Sequence, residues 1–208
     1  MRHFPSDIAF TESVKKIQAD KGSRTSYSKV EQHQGWKTRV TQELRAFVSG
    51  LDMFYLGTAN SEGQPYVQYR GGPAGFLKVL DDQTLAFADF GGNRQYITLG
   101  NLAENPNAFL FLMDYATSSR VKVWGTATVS ENDPELLARL SDQSYPGKVE
   151  RAIVFTIGAW DINCPQHIHK RFAQSEIIPV LAELKAKIAT LEEQLRVARE
   201  GDGKFDRT

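Results

Sequence analysis

The chain has 208 residues, and 25 Lys plus Arg balance 25 Asp plus Glu, so the formal net charge is zero with neutral His. That length suits one domain with a core able to stand without staples, and the balanced charge supplies no overall basic field for a nucleic acid. Hydrophobic residues at 41% and aromatics at 11% exclude wholesale disorder. The lone cysteine, Cys164, excludes an intrachain disulfide and a multi-cysteine zinc cage. No apolar run approaches the roughly 20 residues of a membrane helix, and Met1–Asp7 lacks an apolar signal core. The expectation is a cytoplasmic protein with neither nucleic acid nor membrane as partner.

In chain order, Phe10, Val14 and Ile17 predict a short amphipathic helix ended by Gly22-Ser23, and the polar stretch through Gly35 predicts a loop. A second helix is predicted near Thr38–Leu51, with Val40, Leu44, Phe47 and Leu51 on one face. The period then changes. Met53–Thr58, Pro65–Arg70, Phe76–Leu80 and Thr84–Ala88 read as strands, and their short links predict an antiparallel meander. Residues 94–104 predict a helix closed by Asn105-Pro106. Strands follow at Ala108–Met113 and Arg120–Ser130, then a short helix at Asp133–Leu140 and a strand at Arg151–Ile157. From Ser175 to about Arg199, Leu181, Leu184, Ile188, Leu191, Leu195 and Ala198 alternate spacings of three and four. That heptad seam suits either a terminal helix packed on the barrel or one packed across a dimer. The predicted fold is mainly β (α+β): a six- to seven-stranded antiparallel split β-barrel with flanking helices and a long C-terminal helix. The predicted divisions are an N-terminal extension over 1–36, a barrel over 37–174 and the heptad helix with its tail over 175–208.

No Gly-x-Gly-x-x-Gly opens a helix, no phosphate loop is complete (Gly147-Lys148 is followed by Val149), and no Gly-x-Ser-x-Gly elbow occurs. Four segments remain. In Gln68-Tyr69-Arg70-Gly71-Gly72 a strand ends in an arginine fork and glycines that let a ligand approach the backbone, or else in a plain bend. Asp89-Phe90-Gly91-Gly92-Asn93-Arg94-Gln95 precedes a helix start, where free N–H groups and Arg94 suit an anion; the alternative is a capped glycine turn. Alternation puts Arg120 and Lys122 on one strand face, as part of a phosphate cradle or as solvated charges. Trp160 to His169 holds Cys164, Gln166, His167 and His169. It reads as a ligand-facing loop, a structural turn, a reactive thiol or a metal fragment short of four ligands.

Together these segments resemble the pyridoxamine 5′-phosphate oxidase-like family of FMN-binding split barrels over roughly residues 45–172. The carriers are Phe54-Tyr55-Leu56-Gly57-Thr58 with Gly63-Gln64-Pro65, Gln68 to Phe76, Leu85 to Asp89 with Gly92 to Gln95, Asn101 to Pro106, and Val123 to Ala127. Asn163-Cys164-Pro165-Gln166-His167-Ile168 looks like the signature of a separate branch of that family. The resemblance implies FMN at a homodimer interface. It assigns the phosphate and ribityl chain to Arg70, Asn93, Arg94 and Gln95, with Tyr69 and Gly71 in the same segment, and the flavin ring to Gln68, Arg120 and Lys122. Trp160, Gln166 and His167 would come from either subunit, with His167 the candidate acid–base residue.

Gln95 stands where the vitamin oxidase carries a basic residue, and that enzyme's C-terminal arginine cluster has no counterpart, which disfavours pyridoxamine phosphate as substrate. The implied function is an FMN-dependent oxidoreductase acting on a small organic substrate, with NAD(P)H a candidate reductant and no metal. Similar barrels also carry deazaflavin or haem, for which His167 or His169 could be axial, or serve as non-catalytic flavin-binding dimers.

Overall fold

The computed structural model describes residues 4–33, 35–163 and 166–202. Seven strands form one antiparallel sheet: β1 (Met53–Ala59), β2 (Pro65–Gly71), β3 (Lys78–Val79), β4 (Thr84–Phe90), β5 (Asn107–Asp114), β6 (Ser119–Ser130) and β7 (Val149–Asn163). Their hydrogen-bonded order is β2-β1-β5-β6-β7-β4-β3. The helices are α1 (Glu12–Asp20), α2 (Arg24–Gln32), α3 (Gln42–Ser49), α4 (Ile97–Glu104), α5 (Pro134–Leu140) and α6 (Gln174–Asp202). The expected split-barrel architecture and long C-terminal helix are present. Two compact units result: one holds the residues up to Asp114 with Ser118–Ile168, the other Tyr115–Thr117 with the residues from His169 onward.

Alternation along the strands sorts side chains into a core face and an outer face. On β1, Phe54, Leu56 and Thr58 are buried, and on β5 Leu110 and Leu112 continue that layer. On β6, Val121 and Val123 face the core while Arg120, Lys122 and Trp124 take the other face. The core also draws Leu85 and Phe87 from β4 and Ile153, Phe155 and Ile157 from β7. Phe54 meets Phe87 edge-on at 5.0 Å, although four places separate β1 from β4 in the strand order. The sheet therefore curls until its far strands share one core. Leu44 and Val48 of α3 and Leu102 of α4 complete that core.

The predicted meander forms only as two separate hairpins, β1–β2 and β3–β4, at opposite ends of the strand order. After β2 the chain leaves the sheet: Gly72 N–H donates to Asp52 at 2.9 Å and Gly75 N–H to Leu51 at 2.7 Å. Gly75 sits at φ +73°, and a Cβ there would meet the Ser49 carbonyl oxygen at 2.7 Å. Phe76 and Leu77 then enter the core as irregular chain, leaving only Lys78–Val79 to pair. A second difference lies at the predicted polar loop, where α2 forms. Its Glu31 is buried, takes the Ser6 hydroxyl at 3.3 Å and pairs with Arg24, which also donates to Gln18 at 2.5 Å. Tertiary polar bonds there override a composition that favours loop.

The final strand runs longer at both ends than the predicted Arg151–Ile157. Its pairing with β6 shifts register between Trp124 and Gly125, where a Cβ on Gly125 would meet the Thr156 carbonyl oxygen at 2.0 Å. Gly125→Ala is expected to destabilise the fold by about 1–3 kcal/mol, toward the upper end because backbone must move, as read by denaturant unfolding. Glu104, at the end of α4, accepts from the Ser61 N–H at 3.1 Å and hydroxyl at 3.0 Å, and these bonds hold its carboxyl below the usual value. A lowered folded pKa stabilises above the unfolded value of about 4.3 and is lost as pH falls through the folded value. Thermal midpoints should therefore fall less steeply below about pH 4.3 in Glu104→Gln than in wild type; identical slopes would contradict this.

Candidate functional site: an anion pocket where the core face ends in charge

The core-facing period of two on β4 runs Leu85, Phe87, Asp89, and on β7 it runs Arg151, Ile153, Phe155. Both faces thus end in a charge at one end of the barrel, and Asp89 is the Cα partner of Arg151 across the pair. Asp89 is buried. One carboxylate oxygen pairs with Arg70 of β2, and the other accepts from Arg151 Nη1 at 2.9 Å. Arg151 also donates to Glu131 at 2.9 Å and Glu150 at 3.0 Å, and its guanidinium lies 5.7 Å from the Tyr96 ring centroid. Burial works against its charge, but the bonds to Asp89 and Glu131 outweigh that and raise its pKa. Arg70 sits 5.7 Å from the Phe87 ring centroid, and its Nε is buried without a partner among the described residues.

These groups form the floor of a cavity of about 260 Å³. Gln68 and Tyr66 from β2 line one wall, and Gly92 to Tyr96 line another. The Thr98 hydroxyl donates to Gln68 Oε1 at 2.6 Å, fixing α4 against β2. Arg94 and Tyr96 adopt φ of 59° and 55°, left-handed geometry that costs a non-glycine residue of order 1–3 kcal/mol. Tyr96 is the N-cap of α4 and supplies no side-chain cap, so the first N–H groups of the helix are left for another acceptor. Arg94 is exposed and makes no ion pair among the described residues. Three guanidinium groups line the cavity with the carboxylates of Asp89 and Glu150, and Glu131 on Arg151 balances the third charge, so what an anion meets is the Arg94 guanidinium, an uncapped helix end and the buried Nε–H of Arg70.

The structure brings Gln68, Arg70, Asn93, Arg94 and Gln95 together here. It puts Tyr69 on the opposite face of β2, 60% exposed and edge-on to Tyr55 at 6.0 Å. Gly71 closes β2 opposite Met53, outside the cavity lining. Arg120 and Lys122 lie on the outer face of β6. Arg120 sits 5.9 Å from the Phe111 ring centroid; Lys122 lies over Trp36 and Trp124 and 3.3 Å from Asp161, whose pKa burial raises. Trp160 is buried, its indole donating to the Arg39 carbonyl at 2.8 Å. Gln166 and His167 are exposed, His167 at φ 64°. Cys164 lies outside the described residues. Among the described residues no cluster of three His, Cys, Asp or Glu side chains forms.

Asp89, Arg151, Tyr66, Tyr96, Thr98 and Glu150 line the cavity without having been singled out as ligands. The signal for the central pair was the apolar period on β4 and β7 running into a charge. Asp89→Ala would leave the largely buried Arg70 without its ion-pair partner and take one of three carboxylates from Arg151. It is expected to cost about 3–5 kcal/mol of stability in denaturant unfolding; a cost below about 1 kcal/mol would show the cluster is not structural.

No curated protein matches the sequence. Among solved structures, HupZ of Group A Streptococcus is 16% identical with a TM-score of 0.49, over 64% of this chain and 99% of that one. An FMN-binding protein from Syntrophomonas wolfei is 13% identical with a TM-score of 0.49, over 70% and 97%. A Clostridium acetobutylicum protein related to general stress protein 26, of the pyridoxinephosphate oxidase family, is 16% identical with a TM-score of 0.43, over 65% and 94%. The family model described as pyridoxamine 5′-phosphate oxidase matches residues 40–193. That span takes in every strand of the barrel and the whole of the anion pocket, and the chain belongs to the pyridoxamine 5′-phosphate oxidase family.

Proposed function

We propose that this protein binds FMN, with the phosphate in the pocket at the end of the β4–β7 core face, and works as an oxidoreductase on a small organic substrate. The observation that carries the reading is the pairing of a free guanidinium, Arg94, with the buried, unpartnered Nε of Arg70 across one cavity. At about 260 Å³ the cavity is below the range of about 300–1,000 Å³ for whole-ligand sites. It suits a phosphate with part of a ribityl chain and leaves the ring system outside.

In this reading Arg94 and the open end of α4 take the phosphate, and Arg70, held by Asp89, presents its Nε from below. Gln68, positioned by Thr98, and Asn93 meet the ribityl hydroxyls. The bound flavin would supply redox chemistry by hydride transfer, and NAD(P)H is the reductant we would assay first. Arg120 and Lys122, on the other face of the sheet, cannot reach the same end of the cofactor within one chain. A homodimer in which the outer face of a second copy covers the ring would unite the two sets, and there Arg120 or Lys122 would stabilise negative charge on the reduced ring. Among the described residues no helix is long and apolar enough to cross a membrane.

Arg94→Ala is the clean test because Arg94 has no ion-pair partner to strand among the described residues. FMN affinity should fall by about 1–3 kcal/mol, a factor of roughly 5–150, with riboflavin affinity and thermal midpoint unchanged. Equal FMN affinity in variant and wild type, or an equal loss for riboflavin, would remove Arg94 from the phosphate site.

A further inference from the structure

The second unit carries a feature that the pocket does not use. α6 spans 29 residues, roughly 44 Å at 1.5 Å per residue, and every side chain from Gln174 to Arg199 is exposed. Ile177, Leu184, Leu191 and Ala198 occupy d positions of a heptad, and Leu181, Ile188 and Leu195 occupy a positions. The aliphatic members are open to solvent by about half or more on most of their length: Leu184 52%, Ile188 55% and Leu195 56%. An apolar stripe of that length on a solvated helix marks an interaction surface.

The charges beside the stripe point to its occupant. Position e carries Ile178, Lys185, Glu192 and Arg199, and position g carries Val180, Lys187 and Gln194. Against a second copy in parallel register, Lys187 faces Glu192 of the other helix, and the remaining g–e pairs are Val180 with Lys185 and Gln194 with Arg199. Antiparallel, Lys185 faces Glu192 in both directions. No like charges meet in either alignment. The ion pair within the helix, Glu193 with Arg196 at 2.6 Å, uses the face away from the seam. Lys185, Lys187 and Glu192 make no intrachain ion pair among the described residues, so they are open to a partner. Pro179 falls at an f position, so the backbone bond it removes lies opposite the seam. The central Leu184–Ile188–Leu191 layers put a β-branched residue at a between leucines at d, the choice that favours two strands.

We propose that α6 is a self-association element that pairs with α6 of a second copy through this seam, with Glu192 meeting a lysine across it. The pairing concerns the second unit alone and is independent of flavin binding. The test uses the full chain with Cys164→Ser and one new cysteine. Under mild oxidation Ile188→Cys should form a covalent dimer by itself if the helices run parallel, or when mixed with Leu191→Cys if they run antiparallel. Either should proceed at least about ten times faster than Ala186→Cys, at an f position facing outward. Adding Glu192→Lys should slow the reaction several-fold. Adding Lys187→Glu (parallel) or Lys185→Glu (antiparallel) to that variant should restore it. Seam cysteines that cross-link no faster than Ala186→Cys, alone or mixed, would overturn the proposal, and would leave FMN titration of the same chains to judge the pocket separately.

Discussion

Asp89 holds the barrel and the site in the same act. Its carboxylate takes Arg70 from β2 on one oxygen and Arg151 from β7 on the other. β2 is an edge of the hydrogen-bonded sheet and β4 lies five places away. The Arg70–Asp89 pair thus joins strands that exchange no backbone bonds, and it does so where the apolar core stops. Curvature brings the strands together, and the ion cluster satisfies the charges that curvature buries. Removing one partner is costly because the others are left in a medium that cannot solvate them. The same arrangement fixes the floor of an anion pocket, since Arg70 is held by one side of its fork while its Nε remains unspent.

The order of helices and strands was legible because alternation and helical period are local properties of the chain. That Arg70 and the Asn93-Arg94-Gln95 turn stand out was legible for a similar reason, since glycines and arginine between a strand and a helix start are local features, and the structure brings them to one cavity. Strand neighbours were not legible. Gly71-Gly72-Pro73 signalled a break after β2, but only the bonds of Gly72 and Gly75 back to Asp52 and Leu51 send the chain to the far side of the sheet. α2 was hidden because its stabilising partners, Ser6 and Gln18, come from earlier segments. The Asp89–Arg151 pair needed two distant periodicities read in register. The alternation that puts Arg120 and Lys122 on one face of β6 was readable, but whether that face meets the pocket depends on how the sheet curls.

Within one chain, then, the candidate basic ligands form two groups: Arg70, Arg94 and Arg151 line the cavity, and Arg120 and Lys122 lie on the outer face of β6. One group surrounds the cavity of about 260 Å³ at the end of the β4–β7 core face. The other sits among aromatic rings on the outer face, with Lys122 balanced between Trp36, Trp124 and Asp161. In the proposed function the cofactor bridges the two groups through a second copy. The heptad seam of α6 offers a further contact between copies by a different principle, apolar layers flanked by matched charges.

The central claim is that the pocket recognises a phosphate on a flavin. Parallel titrations of the unmodified chain with FMN and with riboflavin, followed by flavin absorbance and fluorescence, test it most directly. Charge-assisted bonds from Arg70 and Arg94 predict that FMN binds tighter than riboflavin by about two orders of magnitude or more, and that inorganic phosphate competes with FMN. Equal affinity for the two flavins, or no binding of either, would contradict the assignment of this pocket to a flavin phosphate.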